Sequence, residues 1–360
     1  MKIGFLFEDK FLSYANFKNV SKGNPGCGGA EYQMALLFTE LSRNIKYNII
    51  VFNYNMTTKF ANNVKNILIN NLGDIKDDID MTMIINFTNE LQTDELYNFI
   101  KSSKMNFIIW VHCRLNKEKI REFSKLENIK KIVFVTPLEM EILGKNILKK
   151  KVSIFNMIPE PVGELNFYKK KDNIVVYVGN ISRYKGFINL LYQWKQIKLN
   201  VKDAQLFVIG NGSLYNRHQK FSKLNLCKPD YEYEIQNVLL KDNILDSVHF
   251  LGLMGYNKKQ IIKRAKVGIV TNQNVETFCI TALEYQKYGV PVVALNKDGL
   301  KYSVQNGKSG ILCETFEEMG KQIIKILKEE YKFDLPNKFL EQFYCKNIIS
   351  KWEDLLNNVE

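Results

Sequence analysis

Two carboxylates stand eight residues apart in Val275-Glu276-Thr277-Phe278-Cys279-Ile280-Thr281-Ala282-Leu283-Glu284, and Gly289-Val290-Pro291-Val292-Val293-Ala294 follows them. The pattern predicts a helix start between the acids, and eight helical residues rise about 12 Å. Acids so separated can grip the two ends of an extended ligand while N–H groups at the helix start face a phosphate between them. That is the span of a nucleotide diphosphate sugar. The same spacing also fits an amphipathic helix whose two acids are simply exposed.

Other groups could join such a site. Gly26-Cys27-Gly28-Gly29-Ala30-Glu31 opens the amphipathic stretch Tyr32–Leu41, and its small residues let backbone N–H groups come close to a phosphate. A dinucleotide-binding Gly-x-Gly-x-x-Gly fits poorly, because Glu31 stands where the third glycine belongs. His112 closes the run Ile108–His112, where a strand should open onto a cleft. Asp78-Ile79-Asp80 has the spelling of a Mg²⁺ or Mn²⁺ site, but it lies in the acidic stretch Asp74–Asp80 and reads as solvated surface. The six cysteines form no Cys-x-x-Cys pair, and no Gly-x-Ser-x-Gly elbow occurs. Metal knuckles, disulfide staples and serine hydrolysis are therefore not expected.

The elements that must position these groups follow from the rest of the chain. Its 360 residues suffice for two domains with real cores, and 46% hydrophobic against 25% charged residues excludes a disordered chain. Strand-like runs at Ile3–Phe7, Asn48–Phe52, Met83–Asn86, Phe107–His112 and Lys131–Thr136 alternate with helical stretches, which reads as α/β with a mostly parallel sheet. Ile154–Val162 holds two of the seven prolines and reads as a linker. A second series follows at Ile174–Val178, Gln205–Ile209, Ser247–Leu251, Val267–Val270 and Val290–Leu295. Two facing Rossmann-like domains would leave a cleft at the carboxyl ends of both sheets, where such folds bind ligands.

No apolar run reaches the length of a membrane span, and the N-terminus has too short an apolar run for a secretory signal, so a reducing cytosol is expected. The net charge of +13 calls for an anionic partner: nucleic acid, an anionic membrane surface or a phosphorylated substrate. Lysines cluster at Lys149–Lys151 and Lys169–Lys171 without a nucleic-acid fold signature, so no nucleic acid is expected.

Glu-x7-Glu followed by Gly-x-Pro-Val-Val-Ala resembles the signature of family 4 retaining glycosyltransferases of GT-B fold. Gly28-Gly29-Ala30-Glu31 resembles the loop that family places beside the donor diphosphate, and Val178-Gly179-Asn180-Ile181-Ser182-Arg183-Tyr184-Lys185-Gly186 resembles its Gly-Arg-x-x-x-x-Lys-Gly segment. The resemblance implies two domains: residues 1–158 on the acceptor side, with a last helix at about 340–360 packing back on it, and residues 159–340 binding the nucleotide sugar. It implies His112, Glu276 and Lys185 as catalytic residues. It implies donor binding by Gly28, Gly29, Lys185, Gly210, Gly212, Glu276, Phe278, Cys279, Ile280, Thr281 and Glu284, with Arg183 as a substitute cation. His249-Phe250-Leu251-Gly252 resembles the strand end near the base. Asn180 stands where the family has arginine, and Thr277 and Cys279 stand where it has glycines, so side chains project where the sugar would sit.

The function so implied is transfer of a hexose from a nucleotide diphosphate sugar, UDP preferred, to a glycan or lipid-linked hydroxyl, with retention and without metal or cofactor. The setting would be surface polysaccharide or glycolipid synthesis, in the cytoplasm, with peripheral docking on the anionic inner face of the cell membrane. An impaired relative that binds donor or stabilises a partner is the alternative.

Overall fold

The computed structural model describes residues 1–359 apart from 13–14, 88–92, 115, 142–149, 162–170 and 215–225. Lys149, Lys169, Lys170 and His218 lie outside the described residues. The chain divides into two units, one of Met1–Pro159 with Phe343–Glu360 and one of Glu160–Gln342.

The first unit runs β1 (Lys2–Phe7), α1 (Gly29–Leu41), β2 (Asn48–Asn53), β3 (Lys65–Leu68), β4 (Met81–Phe87), α2 (Asp94–Ser102), β5 (Asn106–Val111), α3 (Lys117–Ser124), β6 (Ile129–Phe134), α4 (Pro137–Glu141) and β7 (Lys151–Ser153). Its seven strands pair in the order β3-β2-β1-β4-β5-β6-β7, all parallel. Strands covered on both faces read as continuous apolar runs, and every residue of β4 is buried. Phe5, Phe7, Phe17, Phe38 and Phe60 pack edge to face or stacked on one side of the sheet.

The second unit runs β8 (Asp172–Val178), α5 (Phe187–Asn200), β9 (Gln205–Ile209), α6 (Pro229–Lys241), β10 (Val248–Gly252), α7 (Lys258–Arg264), β11 (Ala265–Val270), α8 (Ile280–Lys287), β12 (Val292–Leu295), α9 (Leu300–Ser303), β13 (Gly310–Cys313) and α10 (Phe316–Leu327). Six parallel strands take the order β10-β9-β8-β11-β12-β13. Phe187, Leu191 and Trp194 of α5 join Ile323 and Leu327 of α10 in the core on one face. On the other, Ala282 and Tyr285 of α8 pack among sheet residues.

α11 (Cys345–Asn357) belongs to the first unit. It is tied there by Ile158, whose N–H donates to Phe343 O and whose carbonyl accepts from Cys345 N–H. Its buried Trp352 meets Trp110 of β5 edge to face at 4.8 Å. Just before the boundary, buried Gln33 of α1 donates to Met157 O at 2.8 Å and accepts from Met157 N–H at 2.7 Å. The carboxamide thus satisfies both backbone groups of that residue.

Three short strands, β3, β7 and β13, lie outside the strand-like runs of the sequence. The others appear at the expected places, with ends shifted by a residue or two. The Asp78 carboxylate pairs with Lys2 and accepts Asp80 N–H, so the Asp-x-Asp is a surface turn before β4. Among the described residues no group of three or more His, Cys, Asp or Glu could hold a metal ion, and no helix is long and apolar enough to cross a membrane.

Candidate functional site

Strand order reverses between β1 and β4 in the first sheet and between β8 and β11 in the second. In open parallel sheets the crevice beyond such a switch point is where ligands bind. Lys185 follows β8 and Glu276 follows β11 at the second, and Gly28 lies between β1 and α1 at the first, while His112 follows β5 and Gly210 and Gly212 follow β9, one strand away.

In the second unit the turn after β8 carries Lys185, whose N–H donates to Ser182 O at 3.1 Å and whose carbonyl accepts Thr271 Oγ1 at 2.6 Å. Gly186 follows at φ +69°, and a Cβ there would lie 2.7 Å from Thr271 O, so the turn and the end of β11 approach as only glycine allows. Lys185 Nζ lies 3.3 Å from Glu276 Oε2, with the side chains 24% and 14% exposed. One cation and one carboxylate, from the two sides of the switch point, therefore meet.

Glu276 is not helical. Its carbonyl accepts Gly299 N–H at 2.7 Å, and α8 begins only at Ile280. The expected 12 Å helical rise between the two acids is corrected accordingly. Cys279 is the N-cap of α8 and leaves its first N–H groups without a side-chain cap. Thr277, Phe278 and Cys279 are buried, and Ile280 and Thr281 are half-buried. Burial pushes the Cys279 thiol up to about 12, so it stays protonated and is no nucleophile at neutral pH.

Glu284, on α8, is buried against Lys258 of α7, Nζ to Oε2 3.0 Å. Tyr285, beside it, accepts Val178 N–H at 2.8 Å and so ties α8 to the end of β8. Gly268 of β11 makes room, since a Cβ there would be 2.3 Å from the Tyr285 ring. Gly210, at φ +132°, donates to Gly252 O, and its Cβ would be 1.9 Å from Gly179 O. Gly212 N–H donates to Leu226 O at 2.6 Å.

Arg183 does not join Lys185. Its guanidinium takes Glu234 through two nitrogens at 2.5 and 2.6 Å and Asp230 at 3.2 Å, over the Tyr231 ring. These α6 carboxylates hold its pKa above the usual range. To meet a diphosphate as a substitute cation it would have to leave this bidentate pair. Asn180 Oδ1 is buried with no hydrogen-bond partner among the described residues. His249 is bonded to Gln205 at 2.7 Å and packs on Phe207.

In the first unit, Gly28 caps α1 without a side-chain oxygen. Asn24 Oδ1 shapes the preceding turn by accepting Gly26 and Cys27 N–H. His112 follows β5, and its Nε2 lies 3.1 Å from Asn86 Oδ1, whose amide Nδ2 donates to Ala30 O at 2.9 Å. Because Asn86 spends its donor on Ala30, its oxygen accepts, which assigns the proton to Nε2 of a neutral imidazole. Burial lowers the His112 pKa to about 3. Arg114 is engaged by buried Glu139 at 2.7 Å.

A neutral histidine with its folded pKa below the ordinary 6.5 binds fewer protons than the unfolded chain between pH about 3 and 6.5, so stability falls as pH drops through that window. Asn86→Asp places a carboxylate on Nε2, favours the imidazolium and should raise the His112 pKa by a unit or more. A ring-proton NMR titration reads this, and an unmoved pKa would show that Asn86 does not govern the tautomer.

Asn86 and Lys258 are the contacts the sequence did not disclose. Asn86 carries only the faint signal of a polar residue near the end of an apolar run, and Lys258 carries none.

Two doubly wound units with ligand-ready switch points define the GT-B class of α/β proteins. UDP-bound Anabaena HepE has the same fold, with a TM-score of 0.68 at 14% identity over 99% of this chain and all of that one. Residues 164–344 match the family described as glycosyl transferases group 1, and the chain belongs to that family. An uncharacterized glycosyltransferase of Haemophilus influenzae is 25% identical over 267 residues, 69% of each chain. The N-acetyl-alpha-D-glucosaminyl L-malate synthase of Bacillus anthracis is 24% identical over 223 residues, 58% of this chain and 53% of its own. The match thus spans about half of that relative.

Proposed function

We propose that the chain is a family 4 glycosyltransferase that moves a hexose, with retention, from a UDP-sugar to a hydroxyl of a glycan or lipid-linked acceptor. The observation that carries this reading is the Lys185–Glu276 pair at the β8/β11 switch point. Lys185 faces the diphosphate and offsets charge on the departing nucleotide, so that no metal ion or cofactor is needed. Glu276 holds hexose hydroxyls and Glu284 the ribose. Phe278, Cys279, Ile280 and Thr281 present the α8 start to phosphate, and Gly210 and Gly212 border the nucleotide. The Gly28-Gly29 backbone serves the diphosphate, and His112, neutral with its Nε2–H on Asn86, accepts one hydrogen bond from a sugar hydroxyl at Nδ1 without carrying charge.

The excess of lysine and arginine supports peripheral docking on anionic lipid at the cytoplasmic face, each nearby cation contributing about 1 kcal/mol. Such a setting suits surface polysaccharide or glycolipid synthesis. The chain is not a nucleic-acid binder in this reading. A second reading, a donor-binding relative without turnover, is favoured by Asn180, uncharged where the family has arginine.

Nucleotide release from UDP-, GDP- and ADP-sugars, without acceptor and with chelator present, tests both. Release from the UDP-sugar that persists with chelator is expected. Binding without release, also after membrane or glycan extracts are added, would favour the second reading, and neither binding nor release would overturn both.

A further inference from the structure

Lys258 is the first residue of α7, and its side chain and that of Glu284 are 9% and 11% exposed. No other ion pair among the described residues is buried on both sides to this degree. Its location opposes stability. A cation at a helix N-terminus meets the positive end of the dipole. A lysine held in one rotamer loses much side-chain entropy, and buried ion pairs are often no better than apolar residues of equal volume. The next residue, Lys259, is exposed, so the segment does not bury its lysines for want of solvent.

An arrangement that stability does not explain is explained by the carboxylate it fixes. Glu284 sits in α8, after the switch-point strand β11, and α7 follows the edge strand β10. The pair therefore locks the side-chain rotamer of the second acid to the segment beyond β10. With Oε2 on Lys258, the remaining edge of the carboxylate keeps one orientation. An ammonium has three N–H donors, and Glu284 needs one of them.

We propose that Lys258 is the positioning residue of the donor-nucleoside subsite, holding Glu284 so that its carboxylate accepts from the two vicinal ribose hydroxyls. The inference rests on the reading of Glu284 as the ribose holder. A carboxylate held in one rotamer binds a diol in two-point fashion, whereas a freely rotating one loses that advantage to entropy. Lys258 therefore acts on discrimination between ribose and deoxyribose more than on nucleotide affinity as such.

Calorimetric binding of UDP and 2′-deoxy-UDP to the full chain tests this, in wild type, Lys258→Arg, Lys258→Met, Glu284→Gln and the double variant Lys258→Met with Glu284→Gln. Wild type should prefer UDP by about tenfold or more, the scale of a hydrogen bond to a charged group. Lys258→Met should reduce that ratio to about twofold or less, and Lys258→Arg should restore most of it. The double variant leaves no unpaired buried charge and should also lie near twofold, which controls for the loss of the carboxylate. Should Lys258→Met fold poorly, Lys258→Gln, which keeps a hydrogen-bond donor without the charge, reads the ratio with Glu284 intact and should lie between wild type and twofold.

A merely structural lysine would weaken both nucleotides alike and keep the ratio. A ratio unchanged in Lys258→Met but lost in Glu284→Gln overturns the role of Lys258 and leaves the ribose reading intact. A ratio unchanged in Glu284→Gln, with UDP still bound, overturns the ribose reading and this inference with it.

Discussion

Lys185→Ala should lower kcat/KM for nucleotide release by two to three orders of magnitude, the usual loss when one preorganised group that stabilises developing charge is removed. The size of the effect follows from the lack of a substitute. Asn180 is uncharged, and Arg183 is held by Glu234 and Asp230. Charge at the end of β8 therefore rests on Lys185, 3.3 Å from Glu276. Lys185→Arg keeps the charge but not the compact ammonium, so partial activity is expected. The pair is partly exposed, so unfolding free energy should change by about 1 kcal/mol or less. Initial rates and urea denaturation separate the two effects. A rate within about threefold of wild type would show that the pair is structural.

Trp352→Ala should cost about 3–5 kcal/mol, the range for deleting a large buried aromatic side chain. Trp352 is fully buried on α11 and packs on Trp110, whose ring lies 4.3 Å from that of His112. The cavity would open beneath β5, next to the strand end that presents His112. Against a typical total of about 5–15 kcal/mol, such a loss is large. Urea denaturation measures it, and the His112 ring resonances should shift as its neighbour moves. Trp352→Phe should recover a good part of both. A loss below about 1 kcal/mol would mean that α11 is not part of the first unit's core.

Much of this was legible in the sequence because central parallel strands are buried on both faces and write themselves as unbroken apolar runs, as in Met81–Phe87 and Asn106–Val111. β3, β7 and β13 escaped because they are short and also incompletely buried, so their three or four residues carry no unbroken apolar run, whereas the equally short β12 is buried throughout. Lys185 and Glu276 were legible as motif members. Asn86 was not, since what gives it meaning is a histidine 26 residues on, next to it only through the β4–β5 pairing. The Lys258–Glu284 contact likewise exists only once α7 and α8 are folded. α8 does begin between the two acids, and the absence of helix at Glu276 itself, which removes the full helical rise, has a local cause. Gly299 donates to the Glu276 carbonyl, and its missing Cβ admits Thr277 O, so a neighbouring loop takes the bond a helix would have used.

The return of α11 to the first unit also sets a schedule for synthesis. A chain emerging from the ribosome at about 5–20 residues per second folds its early domains first. Here the early sheet is missing a wall. Residues 160–342 form one continuous unit and can close as soon as they emerge, while Trp110 waits for Trp352, which is made after them. Of the two units, the one begun earlier is completed later. Until α11 docks, the indole of Trp110 and the side of α1 that α11 covers stand open to solvent.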